Sequence, residues 1–192
     1  MSKDTSASIA PRLKAQYQTE IIDALKTSLE LKNKHQVPRL EKIVINVGLG
    51  RSKDDKQMFE AVRNTLRKIT GQQPVDIIAK KSIASFKIRA GMNTIGMKVT
   101  LRGDRMYEFV DRLTNVVLPR VRDFHGVNKK AFDPQGNYSL GLTEQSVFPE
   151  LSFEDVSKLH GLQINFTITN SDPAKSRALL EAFGIPFEKE QK

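Results

Sequence analysis

Between residues 80 and 105 the chain sets Lys80, Lys81, Lys87, Arg89, Lys98, Arg102 and Arg105 against one acid, Asp104. Cations in such excess suit neutralising phosphates rather than moving protons. Lys98 and Arg102 fall in "IGMKVTLRG", residues 95–103, which alternates without a slip. A strand turns successive side chains to opposite faces, so Ile95, Met97, Val99 and Leu101 share one face. Gly96, Lys98, Thr100 and Arg102 share the other. Cations there meet phosphates, and Thr, Asn or Gln hydrogen-bond sugars, phosphates and base edges.

No residue set suggests a reaction. "NVGLGRSK" has the setting of a dinucleotide loop, but Lys53 stands where the third glycine is required and no partner acid follows. "GNYSLG" is not a nucleophile elbow, because Ser139 lies three residues past Gly136. His35, His125 and His160 are far apart and lack metal-ligand spacing. The neighbours Asp54–Asp55 and Glu154–Asp155 read as solvated helix starts. Catalytic residues, metal ligands and cofactors are therefore not expected. Phe86, among the cations of "KKSIASFKIRAG", is either a packing anchor for a loop or a platform for a base.

The elements that position the basic face are legible in outline. Leu13, Tyr17, Ile21, Leu25 and Leu29 predict a helix over 12–31. Pro38 stops it, and Ile43, Ile45 and Val47 alternate as a strand that ends in glycines. A second helix is predicted over 55–70, closed by Gly71, and "PVDIIA" is a short strand. Asp104 is the expected N-cap of a helix over 105–118 that ends at Pro119. Residues 125–150, rich in Gly, Pro and Asn, predict turns and a hairpin projecting from the core. "LQINFTITN" is a strand with Leu162, Ile164, Phe166 and Ile168 inward and Gln163, Asn165, Thr167 and Thr169 outward. Asp172 and Pro173 open a last helix, closed by Gly184. Strands with one polar face belong to a sheet covered on one side. The fold class expected is α+β: a mainly antiparallel sheet with helices on one face and the other face open.

The domain layout expected is a polar tail over 1–10, one domain over 11–187 with projecting loops near 79–92 and 125–150, and a short tail over 188–192. No helix or strand period covers 79–92, which predicts few paired backbone groups and ordering by an anionic partner.

Composition agrees with a binding role. The 192 residues carry 31 Lys and Arg against 22 Asp and Glu, net +9. The excess is concentrated: residues 1–105 hold 21 basic and 10 acidic residues, residues 106–192 hold 10 and 12. This favours nucleic acid or an anionic surface as partner. A membrane-surface role needs a basic amphipathic helix, and these helices mix both signs. No apolar run nears the roughly 18 residues of a membrane span. With no cysteine, disulfides and thiol chemistry are excluded.

"RLEKIVINVGLG", "ITGQQP", "AKKSIASFKIRAG", "IGMKVTLRG", "PRVRDFHG", "FDPQGNYSLGLTEQSVFPE" and "ALLEAFGIPF" follow one another from about Val37 to Phe187. In order and spacing the chain resembles the bacterial type of the ribosomal protein L5 family. That resemblance implies a cytoplasmic protein of the large ribosomal subunit that binds 5S rRNA in the central protuberance. It also implies contacts with large-subunit rRNA, neighbouring 5S rRNA-binding proteins, peptidyl-site tRNA and, across an intersubunit bridge, a small-subunit head protein. Family positions on the RNA face match Asn46, Gln72, Arg89 and Thr100, beside the Lys98 and Arg102 read from alternation. The tRNA loop matches Lys80, Lys81, Ser82, Phe86 and Lys87; the bridge matches Arg122, Asp123, His125, Asn137 and Tyr138. His125 stands where the family usually has Arg, and "TITNSDPAKSRALL" departs from the usual run, so no role is carried onto it.

Overall fold

A computed structural model describes residues 10–50, 55–92 and 94–188. The expected tails, except Ala10 and Glu188, lie outside them, as do Asp54 and, in the glycine loop, Arg51 and Lys53.

Among the described residues, five strands form one antiparallel sheet: β1 (Arg39–Gly48), β2 (Val75–Ile78), β3 (Thr94–Leu101), β4 (Tyr138–Leu142) and β5 (Leu162–Thr169), in the order β2-β3-β1-β5-β4. Ile43, Ile45, Val47, Met97, Val99, Leu101, Ile164 and Phe166 are buried on one face, as alternation predicts. A one-residue slip would turn such a set to water at about 1.5–3 kcal/mol per large side chain, which pins the register. The α+β class is therefore the observed one.

The helices supply the rest of that core. α1 (Arg12–Gln16) passes through a π-helical turn (Tyr17–Ile21) into α2 (Ile22–Ser28). Leu13, Tyr17, Ile21 and Leu25 are buried at a strict spacing of four. That spacing overshoots a 3.6-residue turn by about 40° per step, and the wider π turn absorbs part of the drift. The helix stops short of the expected residue 31, because Glu30 turns left-handed at φ 51° and Leu31 N–H reaches back to Lys26 O.

α3 (Lys56–Thr70) is capped by Asp55, whose Oδ1 accepts from Met58 N–H at 3.1 Å, and Gly71 closes it at φ 64°. α4 (Gly103–Arg112) runs into a second π turn (Leu113–Val117) and a 3-10 turn (Leu118–Arg120) containing Pro119. Asp104 is not its N-cap. The helix begins at Gly103, two residues earlier than expected, so Asp104 falls in the first turn and accepts from Lys14 Nζ at 2.6 Å, while Arg12 meets Asp111 at 2.6 Å. Those pairs tie α1 to α4. α5 (Pro173–Ala182) has the expected cap, Asp172 Oδ1 accepting from Lys175 N–H at 2.9 Å.

The stretch 125–150 does not simply project. Its turns are present, and Phe132 bridges Tyr138 as a narrow hairpin, but residues 138–142 are an edge strand of the main sheet, paired to β5. Tyr138, Leu142, Gln145 and Phe148 are buried.

Candidate nucleic-acid interface

Pairing carries the open face across the sheet in rows. Lys98 lies opposite Asn46, Asn46 opposite Gln163, and Gln163 opposite Gly141; on the far side Val75 lies opposite Lys98. The next row runs Thr100, Val44, Asn165, Ser139, and Ser139 Oγ donates to Asn165 Oδ1 at 2.8 Å. Strands lie about 4.8 Å apart, so Lys98, Asn46 and Gln163 follow one another at that spacing, whereas Val44 separates Thr100 from Asn165 in the second row. Lys98 and Gln163 are exposed, and Asn46, Thr100 and Asn165 are half-buried. Among the described residues Lys98 makes no ion pair, whereas Arg102 is partly neutralised by Glu41 at 3.1 Å.

Gln72 joins this face from outside the strands. The left-handed Gly71 turns the chain back, and Gln72 Nε2 donates to Thr100 O at 3.3 Å. Asn46, Gln72, Lys98, Thr100 and Arg102 are thus brought to one surface. Arg89 is not on the strand rows; it is exposed on the loop that joins β2 to β3. Gln163, Asn165 and Ser139 complete the surface and were not among the sequence-chosen site residues. The outward alternation of "LQINFTITN" was the signal for the first two.

The loop over 79–92 is more ordered than its lack of period suggests. Ile83 and Ile88 pair through both backbone bonds, at 2.9 and 3.1 Å, and Lys87 N–H donates to Ala84 O with Lys87 at φ 52°. Gly91 N–H reaches Ala79 O, and Ser82 Oγ accepts from Ala90 N–H at 3.0 Å. The expectation of few paired backbone groups is corrected: the segment is a small closed hairpin. Ser82 shapes it, while Lys80, Lys81 and Lys87 are exposed on it and Phe86 is 67% exposed. Phe86 also lines a groove with Gly48, Gly50, Met58 and Leu159, so its ring has apolar neighbours.

Arg122, Asp123 and His125 stand exposed on one turn, where Asp123 has φ 51°. Asn137 and Tyr138 do not join them. Asn137 Nδ2 donates to Asp133 Oδ2 at 2.7 Å and its Oδ1 accepts from Ile168 N–H at 3.1 Å. Asn137 thereby holds the Asp133 carboxyl below the usual carboxylate range. Tyr138 is 1% exposed, its hydroxyl donates to Asn128 O at 2.9 Å, and burial pushes that hydroxyl up to about 12. A side chain so enclosed has no surface to offer a partner.

Residues 33–89 match the family described as ribosomal protein L5, and residues 94–187 match the C-terminal region of the same ribosomal family. Proteins called large ribosomal subunit protein uL5 from Alkaliphilus oremlandii and Carboxydothermus hydrogenoformans are 52% and 50% identical over 178 and 179 residues. Each alignment spans 93% of this chain and 99% of the relative. The chain belongs to the ribosomal protein L5 family. The two L5 regions meet at the loop before β3, and the row Lys98–Asn46–Gln163 draws on both, since Asn46 lies in the first and Lys98 and Gln163 in the second.

Proposed function

We propose that this L5-family protein is a structural, non-enzymatic component of the large ribosomal subunit in the cytoplasm, and that it lays its open sheet face on 5S rRNA. The observation that carries this reading is the solvent-facing row Lys98–Asn46–Gln163, with Thr100 and Gln72 beside it. One full cation among neutral hydrogen-bonding groups suits a shaped RNA backbone with some base-edge contact, rather than a generic polyanion. Its further partners on this reading are large-subunit rRNA and neighbouring 5S rRNA-binding proteins.

Two projections serve other contacts. The hairpin over 79–92 carries Lys80, Lys81, Lys87 and an exposed Phe86 toward peptidyl-site tRNA. The turn with Arg122, Asp123 and His125 meets a small-subunit head protein across the bridge. Filter binding to 5S rRNA beside an unrelated structured RNA tests the central claim. Preference for 5S rRNA is expected; equal affinity for both overturns it.

A further inference from the structure

The open face changes character along its strands. The rows through Lys98 and Thr100 set neutral hydrogen-bonding groups around one cation, and the positions beyond them carry charge. Lys42 lies opposite Thr167, and Arg102, which follows the Leu101 paired with Ile43, comes level with Lys42. Further along, Arg39 lies opposite Thr169. Its place there depends on a bulge. Arg39 stands an even number of residues from the buried Ile43 and Ile45, so a regular strand would aim it at the core. The register instead shifts between Leu40 and Lys42, with Glu41 as the extra residue. Leu40 is therefore the buried side chain and Arg39 the exposed one. A bulge re-aims side chains in this way.

We propose that Arg39, Lys42 and Arg102 form a strip that grips RNA phosphates whatever the sequence, while the neutral rows supply the preference for one RNA. Phosphate contacts hold and position an RNA, and base contacts specify it. Charge supports the division. Glu41 Oε1 accepts from Arg102 Nη1 at 3.1 Å and lies 3.9 Å from Lys42 Nζ, and Arg39 has no ion pair among the described residues. The neighbouring acids Asp23, Asp104 and Asp172 are already paired, with Lys34, Lys14 and Lys175 at 3.3, 2.6 and 3.0 Å. That leaves Glu41 against three cations. No large apolar side chain is exposed on β1 or β5, so this end lacks the apolar centre of a protein interface. The inference rests on the reading that the open face binds RNA, and names the residues that supply its charge.

Filter binding of the purified chain to 5S rRNA and to an unrelated structured RNA, each across a salt series, tests this. Arg39→Gln with Lys42→Gln should weaken both RNAs by the same factor, about tenfold at low salt, and leave their ratio unchanged. The slope of log affinity against log salt should shrink by ~0.7–0.9 for each cation removed. Glu41→Gln frees Lys42 and Arg102 and should strengthen binding to both RNAs, a gain that no folding defect can imitate. Equal affinity of the wild-type chain for the two RNAs would defeat the 5S reading, and the change of slope would still decide the strip. An unchanged slope, a loss confined to 5S rRNA, no gain with Glu41→Gln, or stronger capture of poly-glutamate than of either RNA would each overturn the proposal.

Discussion

Lys98 on β3 and Asn46 on β1 face each other across the sheet, while their chain neighbours Met97 and Val47 face each other in the core. The two functions of the strand pair, holding the fold and presenting a surface, are thus divided residue by residue. Substitutions should separate them. Asn46→Ala or Thr100→Ala should weaken 5S rRNA binding by ~1–3 kcal/mol with little change in melting, since a desolvated partner is left unpaired. Met97→Ala should cost ~2–5 kcal/mol of stability through the cavity it leaves. Thermal melts beside binding curves check both; a large melting loss for Thr100→Ala would mean the faces are exchanged.

Salt should matter moderately. With Arg102 already drawn to Glu41, few unpaired cations remain on the face. If ~3–5 phosphates are neutralised in all, log affinity should fall against log salt with a slope of about −0.7 to −0.9 per contact. Filter binding across a salt series reads the slope, and a flat response would remove phosphates from the account.

Lys80→Ala with Lys81→Ala should spare most 5S rRNA affinity and weaken tRNA retention on assembled ribosomes. Both cations stand on the hairpin, away from the strand rows. Ser82→Ala removes the acceptor of Ala90 N–H and should speed tryptic cleavage at Lys87 or Arg89 without lowering the melting point. A double lysine variant that loses 5S rRNA as badly as Thr100→Ala would make the hairpin part of the 5S site.

Acid should loosen the end of the sheet at two stages. Burial pushes the His160 imidazole below its ordinary 6.5, against a weaker opposing contact with Lys158 O at 3.2 Å. The unfolded chain then binds the proton more readily, so this contribution is whole above about pH 6.5 and falls away below it. Lys68, with Ser152 helping, holds the Asp155 carboxyl down to about 2 from 3.8, so its contribution is whole above about pH 4 and lost as pH approaches 2. His160→Gln should flatten the stability profile between about pH 7 and 5 and leave the lower step intact. Urea titrations across pH check it; an unchanged upper step would exonerate His160.

What could be read from sequence was whatever local pattern dictates. β3 and β5 alternate over eight residues each, α3 ends at Gly71 and α5 carries a capping aspartate, so their places were plain. β4 was hidden because it is five residues long, contains Gly141, and owes its strand character to β5, whose pairing residues lie 20 to 28 positions further on. The same distant pairing buries Tyr138 against Phe166, which no reading of "GNYSLG" alone could show. The hairpin over 79–92 turns on Lys87, a non-glycine left-handed residue, and on a serine hydroxyl, neither of which leaves a periodic trace. Asp104 looked like a cap because Asp commonly is one; Gly103 opens the helix instead, at φ 59°.

The strand order has a consequence for synthesis. β1 is made first yet sits in the middle of the sheet, and its two partners arrive at residues 94–101 and 162–169. Until the second of these leaves the translating ribosome, one edge of β1 has no mate, and folding waits on contacts of long sequence separation. One polar residue of each row, Gln163 in the first and Asn165 in the second, belongs to that last strand. A chain broken off before residue 162 therefore has neither a closed sheet nor a complete face, and aborted products cannot compete with the finished protein for its site.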